Sequence, residues 1–130
     1  MNFKDLPALG AALDVGTFAG VTTKPDGTHC AVILLPDRAT GLTWEQAMAW
    51  AKNLYAELPT RPAAASLSAN IKNAHRVLPD GLHWTSDDID DTFAWYCHIQ
   101  CGYQSYGHKV NYIGAAVAVR LIPLHLEGGE

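Results

Sequence analysis

Residues 43–55 read Thr43-Trp44-Glu45-Gln46-Ala47-Met48-Ala49-Trp50-Ala51-Lys52-Asn53-Leu54-Tyr55. Thr43 and Gln46 form the capping-box pattern, in which each side chain accepts a hydrogen bond from the backbone N–H of the other residue. From Trp44 onward, apolar side chains recur at the spacing of one helix face. The stretch therefore predicts an amphipathic helix that begins directly after Thr43.

A second helix is predicted to start within Leu58-Pro59-Thr60-Arg61-Pro62. Thr60 is a capping residue, and Pro62 is tolerated in a first turn whose N–H groups have no helical partner. The apolar stripe of this helix comprises Ala64, Leu67, Ile71 and Ala74. Pro79-Asp80-Gly81 has the composition of a turn and is expected to follow the helix.

Strand patterns lie on both sides of the two helices. Residues 15–22 and 29–35 flank the turn Lys24-Pro25-Asp26-Gly27 and predict a hairpin that Pro36 ends. Residues 82–86 and 112–122 predict two further strands. No strand–helix–strand alternation occurs, so we expect an α+β fold in which antiparallel pairing dominates.

Residues 93–100 alternate between two sets of side chains, as in a strand with one buried face. The predicted core face carries Phe93, Trp95, Cys97 and Ile99, and the predicted outer face carries Ala94, Tyr96, His98 and Gln100. Residues 102–108 predict a polar and aromatic loop after this strand. Trp44 and Trp84 also fall on predicted core faces.

Length and composition exclude several classes of protein. A chain of 130 residues with 48% hydrophobic residues predicts a single folded domain over residues 1–130. The net charge of −4 argues against direct nucleic-acid binding, which needs a basic surface. No apolar run is long enough to span a bilayer, and the N-terminus lacks a secretory signal, so we expect no membrane association. The odd number of cysteines, 3, predicts reduced thiols, as in a cytosol.

The order of short motifs resembles that of a bacterial and prophage family of small uncharacterised domains. The motifs are Phe18-Ala19-Gly20-Val21, Leu58-Pro59-Thr60-Arg61, His83-Trp84-Thr85-Ser86, Ala94-Trp95-Tyr96 and Val119-Arg120-Leu121. The family typically reads Leu-Pro-Thr-Arg-x-Glu, Tyr-Trp-Ser-Ser, Ala-Trp and Val-Arg in this order. The likeness covers about residues 6–122.

The resemblance implies a C-type-lectin-like fold, with two helices packed on mixed and antiparallel sheets and with neighbouring termini. Ala63 stands where the family usually has Glu, so the second helix lacks a reciprocal capping contact. The Glu-Pro-Asn and Trp-Asn-Asp motifs of calcium-dependent lectins are absent from the sequence, as are the disulfides of animal lectin domains. The resemblance therefore implies a scaffold and no particular ligand.

Two clusters of polar residues are candidates for a site. The partner-binding candidates are Tyr96, His98, Gln100, Tyr103, Gln104, Tyr106 and His108. Their residue types bind proteins by rigid aromatic area and adaptable hydrogen bonds, although an ordinary polar hairpin has a similar composition. The acidic candidates are Asp87, Asp88, Asp90 and Asp91, which form either a solvated turn, a Ca²⁺ site or a contact to a basic partner.

We expect no metal, cofactor or catalytic residue. Cys97, His98, Cys101 and His108 include zinc-binding residue types, but their spacing is not diagnostic and the alternation separates His98 from Cys97. The predicted function is a non-catalytic module that binds a protein partner through residues 96–108. The alternatives are a phage-encoded inhibitor that contacts a host protein with its acidic loop, and a sugar- or metal-binding virion component, which would form an oligomer.

Overall fold

The α+β architecture is confirmed in a computed structural model, which describes residues 1–71 and 78–125. A short 3-10 helix, Phe3–Asp5, precedes β1 (Ala12–Leu13), β2 (Gly16–Thr23), β3 (His29–Leu42), α1 (Trp44–Asn53), α2 (Arg61–Asn70), β4 (Leu82–Asp88), β5 (Phe93–His98), β6 (Tyr103–His108) and β7 (Gly114–Pro123). Ala74, predicted on the stripe of the second helix, lies outside the described residues. Neither described helix has the length and apolar character that crossing a membrane requires.

The strands form one 7-stranded mixed sheet in the order β1-β2-β3-β7-β4-β5-β6. Neighbouring strands are antiparallel except β4 and β7, which run parallel and meet at one residue pair, His83 and Ala115. The edges of the sheet are therefore β1, with 2 residues, and β6, with 6 residues.

Both faces of the sheet carry buried apolar side chains. On one face, Ala63, Ala64 and Leu67 of α2 pack against Cys97 and Val119, and we call this the α2 face. On the other, Ala47 and Ala51 of α1 pack against Trp84, Ala94 and Ala118, which defines the α1 face. A third cluster contains Phe18, Ile33 and Leu124, with the partly buried Phe3 and Leu6 of the N-terminal segment.

Local capping signals place the starts of both helices as predicted, but α2 ends at Asn70, so Ile71, predicted on its apolar stripe, lies just beyond the helix. The Thr43 backbone N–H donates to Gln46 Oε1 at 3.0 Å, and Thr43 Oγ1 accepts from the Gln46 backbone N–H at 3.4 Å. Thr60 Oγ1 accepts from the Ala63 backbone N–H at 3.3 Å, and Pro62 lies in the first turn of α2. These contacts satisfy N–H groups that have no partner within a helix.

Several predicted boundaries were wrong. β3 continues beyond Pro36 to Leu42, because its pairing with β7 shifts register between Leu34 and Arg38 and so accommodates a residue without an N–H. Residues 102–108, predicted as a loop, include the strand β6, and residues 99 and 100, predicted as strand, lie in the turn before it. The acidic stretch begins in β4, which includes Asp87 and Asp88.

The tryptophans occupy different environments. Trp84 is fully buried, and its Nε1 donates to the Leu42 carbonyl oxygen at 3.0 Å. Trp44 is partly buried, and its Nε1 donates to the Thr85 carbonyl oxygen at 2.9 Å. Trp95, predicted in the core, is also only partly buried, whereas Ala94, predicted on the outer face, is fully buried. Both faces of β5 are covered in part, so alternation alone did not identify its buried residues.

Candidate functional site

The candidate site lies on the hairpin formed by β5 and β6. Their pairing runs without a bulge from Phe93 opposite His108 to His98 opposite Tyr103. The turn closes where the backbone N–H groups of Cys101 and Gly102 donate to the His98 carbonyl oxygen at 3.1 and 2.7 Å. Gly102 has a φ of 82°, which favours glycine. A defined turn fixes the register and hence the face on which each candidate side chain lies.

The predicted partner-binding residues lie on both faces of the hairpin. Cross-strand partners share a face, so Gln104, Tyr106 and His108 lie on the α2 face with Cys97, Trp95 and Phe93. Tyr96, His98 and Tyr103 lie on the α1 face. Gln100 lies in the turn, and its Nε2 donates to the Pro79 carbonyl oxygen at 2.7 Å. The sequence prediction of one continuous surface is therefore corrected to two aromatic surfaces that share a strand.

A row of aromatic rings crosses the α2 face. Tyr106 makes edge contacts with Trp95 and Phe93, at centroid distances of 5.5 and 5.8 Å. Phe93 makes a further edge contact with His108 at 5.7 Å. Tyr106 remains 50% exposed. Edge-to-face contacts restrict the rings, so this face presents a preorganised aromatic surface.

Arg61, the first residue of α2, lies at one end of this row, over the Trp95 ring. Its guanidinium carbon lies 3.6 Å from the centre of the Trp95 ring. Its Nε donates to Gln104 Oε1 at 2.9 Å, and Gln104 Nε2 donates back to the Arg61 carbonyl oxygen at 2.9 Å. The Arg61 backbone N–H donates to Asp87 Oδ2 at 2.8 Å. Gln104 is thus committed to holding Arg61, which places a fixed cation beside the aromatic row.

Arg61 was not among the predicted site residues. The Leu-Pro-Thr-Arg motif marked the start of a helix, and no local pattern indicates that this start packs against Trp95, which lies in a strand far along the chain. The sequence carried no signal for this contact, because the alternation of residues 93–100 placed Trp95 on the predicted core face.

The α1 face carries a second aromatic group centred on Tyr96. The Tyr96 ring stacks with Tyr112 at 6.3 Å and contacts the edges of Trp84 at 6.3 Å and His98 at 5.6 Å. Tyr103, which is 60% exposed, lies 5.9 Å from the His98 ring. A Cβ on Gly107 would come within 2.4 Å of the Tyr112 ring, so glycine is needed for this close approach.

The segment between β6 and β7 adds further exposed apolar side chains beside the hairpin. Residues 112 and 113 were expected in the final strand, but β7 begins at Gly114. Val110 and Ile113 are 69% and 56% exposed. The hairpin and this segment therefore present a large amount of apolar side chain to solvent, which is typical of an interaction site.

The acidic candidates are largely committed to contacts within the chain. Asp87 accepts from the Arg61 backbone, and Asp88 Oδ2 lies 3.0 Å from Nζ of the buried Lys109. Asp90 Oδ1 accepts from the backbone N–H groups of Thr92 and Phe93 at 2.8 and 2.9 Å, which lowers the pKa of the Asp90 carboxyl. Within residues 1–71 and 78–125, no three His, Cys, Asp or Glu side chains cluster as metal ligands.

The cysteines and the buried His83 are further side chains that could react or titrate. Cys30 and Cys97 are buried, Cys101 is exposed, and all are free thiols. Burial raises the pKa of the Cys97 thiol, which disfavours the reactive thiolate. His83 is 1% exposed, and burial lowers its pKa to about 4. Its Nδ1 lies 3.2 Å from the Gly81 carbonyl oxygen.

No protein-family model matches this chain, and no curated protein matches it either.

Proposed function

We propose that this chain is a non-catalytic binding module that recognises a protein partner through the side chains of the β5–β6 hairpin. The observation that carries the proposal is the exposure of Tyr103 and Tyr106, at 60% and 50%, on a hairpin where each ring is oriented by a neighbouring ring. Tyrosine supplies rigid amphipathic contact area and a hydroxyl that hydrogen-bonds to varied groups. Such residues are enriched where proteins bind each other.

Preorganisation of the α2 face supports this function. Arg61 is held between the Trp95 ring and the Gln104 side chain, so a partner would not have to order it. Ordering a long side chain on binding costs about 0.5–1.5 kcal/mol, and a prearranged arginine avoids much of that cost. Arginine and aromatic residues are also the types that dominate binding energy at protein interfaces.

We further propose that the scaffold is C-type-lectin-like and that the protein acts in a bacterial cytoplasm or a phage particle. Neighbouring N- and C-terminal segments support the scaffold, because Phe3 N–H donates to the His125 carbonyl oxygen at 3.1 Å and His125 N–H donates to the Met1 carbonyl oxygen at 2.8 Å. The free thiols support a reducing compartment.

The test is affinity capture from host-bacterial lysate with the unchanged protein and with Tyr103→Ala/Tyr106→Ala. We expect the unchanged protein to enrich one partner and the double variant to lose it while remaining folded, with a melting temperature lowered only by the loss of the ring contacts to Trp95, Phe93 and His98. Tyr55→Ala is the matched control, since Tyr55 is 86% exposed and lies outside the hairpin. Equal capture by the double variant would refute the proposed site.

Salt concentration separates the aromatic contact from the acidic alternative. Binding through the aromatic faces should persist at high salt, whereas steering by exposed carboxylates is screened. If high salt releases the partner, Asp90→Asn/Asp91→Asn should weaken capture more than the tyrosine variant does, and the hairpin would not be the main contact.

A further inference from the structure

The two edges of the sheet differ in how they are protected. Native proteins shorten edge strands or place charged residues, proline or bulges on them, because an open edge can pair with another strand. The β1 edge is only 2 residues long. The β6 edge, Tyr103-Gln104-Ser105-Tyr106-Gly107-His108, carries no lysine, carboxylate or proline and pairs with β5 without a bulge.

Backbone contacts at the end of the hairpin show which groups of β6 point outward. Lys109 N–H donates to the Thr92 carbonyl oxygen at 2.8 Å, so the N–H of residue 109 points towards the β5 side, whereas its carbonyl oxygen accepts from Trp44 N–H at 3.3 Å. Backbone direction alternates along a strand, so the N–H and C=O groups of residues 103, 105 and 107 also face β5. The His108 carbonyl oxygen faces away and accepts from Tyr112 N–H at 3.0 Å.

The N–H and C=O groups of Gln104 and Tyr106 therefore point out of the sheet. Within the described part of the chain, no protein group bonds to them. The outward groups of Gln104 and Tyr106 form two donor–acceptor pairs separated by Ser105. On one side the open part of the edge ends at His108, whose carbonyl oxygen is already bonded to Tyr112 N–H. An added strand would pair with these two residues first.

We propose that β6 pairs antiparallel with β6 of a second copy of this chain, about a two-fold axis that passes beside Ser105. In this register Gln104 of each copy lies opposite Tyr106 of the other, and each such pair exchanges two N–H···O bonds. Every outward group of Gln104 and Tyr106 then has a partner. The interface is isologous, as in most homodimers. The proposal concerns the backbone edge and goes beyond the proposed function, which concerns the side chains on the two faces.

The side chains are compatible with this register. On the α1 face, Tyr103 of one copy falls opposite Gly107 of the other, beside the Tyr112 ring that covers this glycine. On the α2 face, Tyr106 falls opposite Gln104 of the other copy, next to the arginine that this glutamine holds. Like charges directly opposite each other would oppose pairing, and β6 carries no lysine, arginine or carboxylate that could meet its own copy across the axis.

A cysteine at the axis tests both the pairing and its register. Ser105 would face Ser105 of the second copy as a non-hydrogen-bonded pair, with Cα atoms about 4.5 Å apart, which is within the range of a disulfide. Ser105→Cys in a Cys101→Ser background should therefore form a cross-linked species of twice the 14.1 kDa chain mass under mild oxidation. In the same background, Tyr103→Cys is the matched control. In the proposed register its two copies lie about 13 Å apart along the strand, beyond disulfide reach.

Equal cross-linking of both variants would indicate random collision and overturn the register, and no cross-linking of Ser105→Cys would overturn the pairing. Sedimentation equilibrium of the unchanged protein should give a mass of twice 14.1 kDa at the upper end of a concentration series. Tyr106→Pro removes an outward N–H that the sheet does not use, and we expect it to weaken the dimer at least ten-fold more than Tyr106→Ala does. Circular dichroism checks that both variants are folded.

The two proposals fail separately. A monomeric protein at every concentration would overturn the β6 dimer while partner capture through the aromatic faces could still succeed. A dimer that captures no host protein would overturn the proposed function and leave the β6 pairing in place.

Discussion

The packing of Arg61 between Trp95 and Gln104 predicts a measurable loss of stability for Arg61→Lys. Lysine keeps the charge but has no planar group to lie on the Trp95 ring and no Nε to donate to Gln104. A partly exposed cation–π contact contributes about 0.5–1 kcal/mol, and a net hydrogen bond about 0.5–1.5 kcal/mol. Allowing for partial solvent screening, we expect the free energy of unfolding to fall by about 1–2 kcal/mol.

The assay is urea denaturation, with a double-mutant cycle to isolate the contact. Gln104→Ala removes the acceptor of the Nε hydrogen bond and the donor to the Arg61 carbonyl oxygen, so it should cost a similar amount. Because the two substitutions remove a shared interaction, the double variant should lose about 0.5–1 kcal/mol less than the sum of the single losses.

Arg120→Lys is the control. Arg120 Nε donates to the Tyr55 carbonyl oxygen at 3.2 Å, and the Arg120 guanidinium lies 4.0 Å from Asp14 at an exposed position. Exposed pairs of this kind contribute little, so we expect a change below about 0.5 kcal/mol. An Arg61→Lys loss no larger than that of Arg120→Lys, or strictly additive losses in the cycle, would show that the Arg61 contacts do not stabilise the hairpin.

Three further predictions address the cap, the buried histidine and the thiols. Thr43→Ala should lower the free energy of unfolding in urea by about 1 kcal/mol, because it removes the side chain that caps α1; an unchanged midpoint would contradict this. His83 has a folded pKa of about 4, below its ordinary value of 6.5, so the unfolded chain gains the proton first and stability should fall as pH drops from 6.5 towards 4, by up to about 3 kcal/mol. The same pH dependence in His83→Gln would assign the effect elsewhere. Iodoacetamide should label Cys101 in the native protein and label Cys30 and Cys97 only after denaturation, as mass spectrometry can check; native labelling of Cys30 would contradict its burial.

Elements determined by neighbouring residues were predictable from the sequence. The capping box of Thr43 and Gln46 acts within one helical turn, and the structure confirms both of its hydrogen bonds. The hairpin of β2 and β3 also follows from local turn residues, and Trp84 lies in the core as expected. In each case the residues that decide the structure are either adjacent in sequence or strongly apolar.

Elements determined by residues distant in the sequence could not be predicted in the same way. Pro36 ends a strand by local rules, but a register shift against β7 allows β3 to continue. The polar sequence of β6 resembles a loop, and it becomes a strand because β5 pairs with every residue of it. The two candidate faces follow from that same pairing. A list of tyrosines and histidines could therefore be drawn up from the sequence, but their division between two faces could not.

Because β7 lies between β3 and β4, the sheet cannot be completed until β7 has been synthesised. Each side of the sheet needs this strand for completion, yet residues 114–123 are translated after every other strand. Until they emerge from the ribosome, the apolar β3 has one unpaired side, and such open strands are prone to aggregate. A nascent chain that stops before Gly114 therefore lacks the strand that joins its two halves. We expect such products to be insoluble or rapidly degraded.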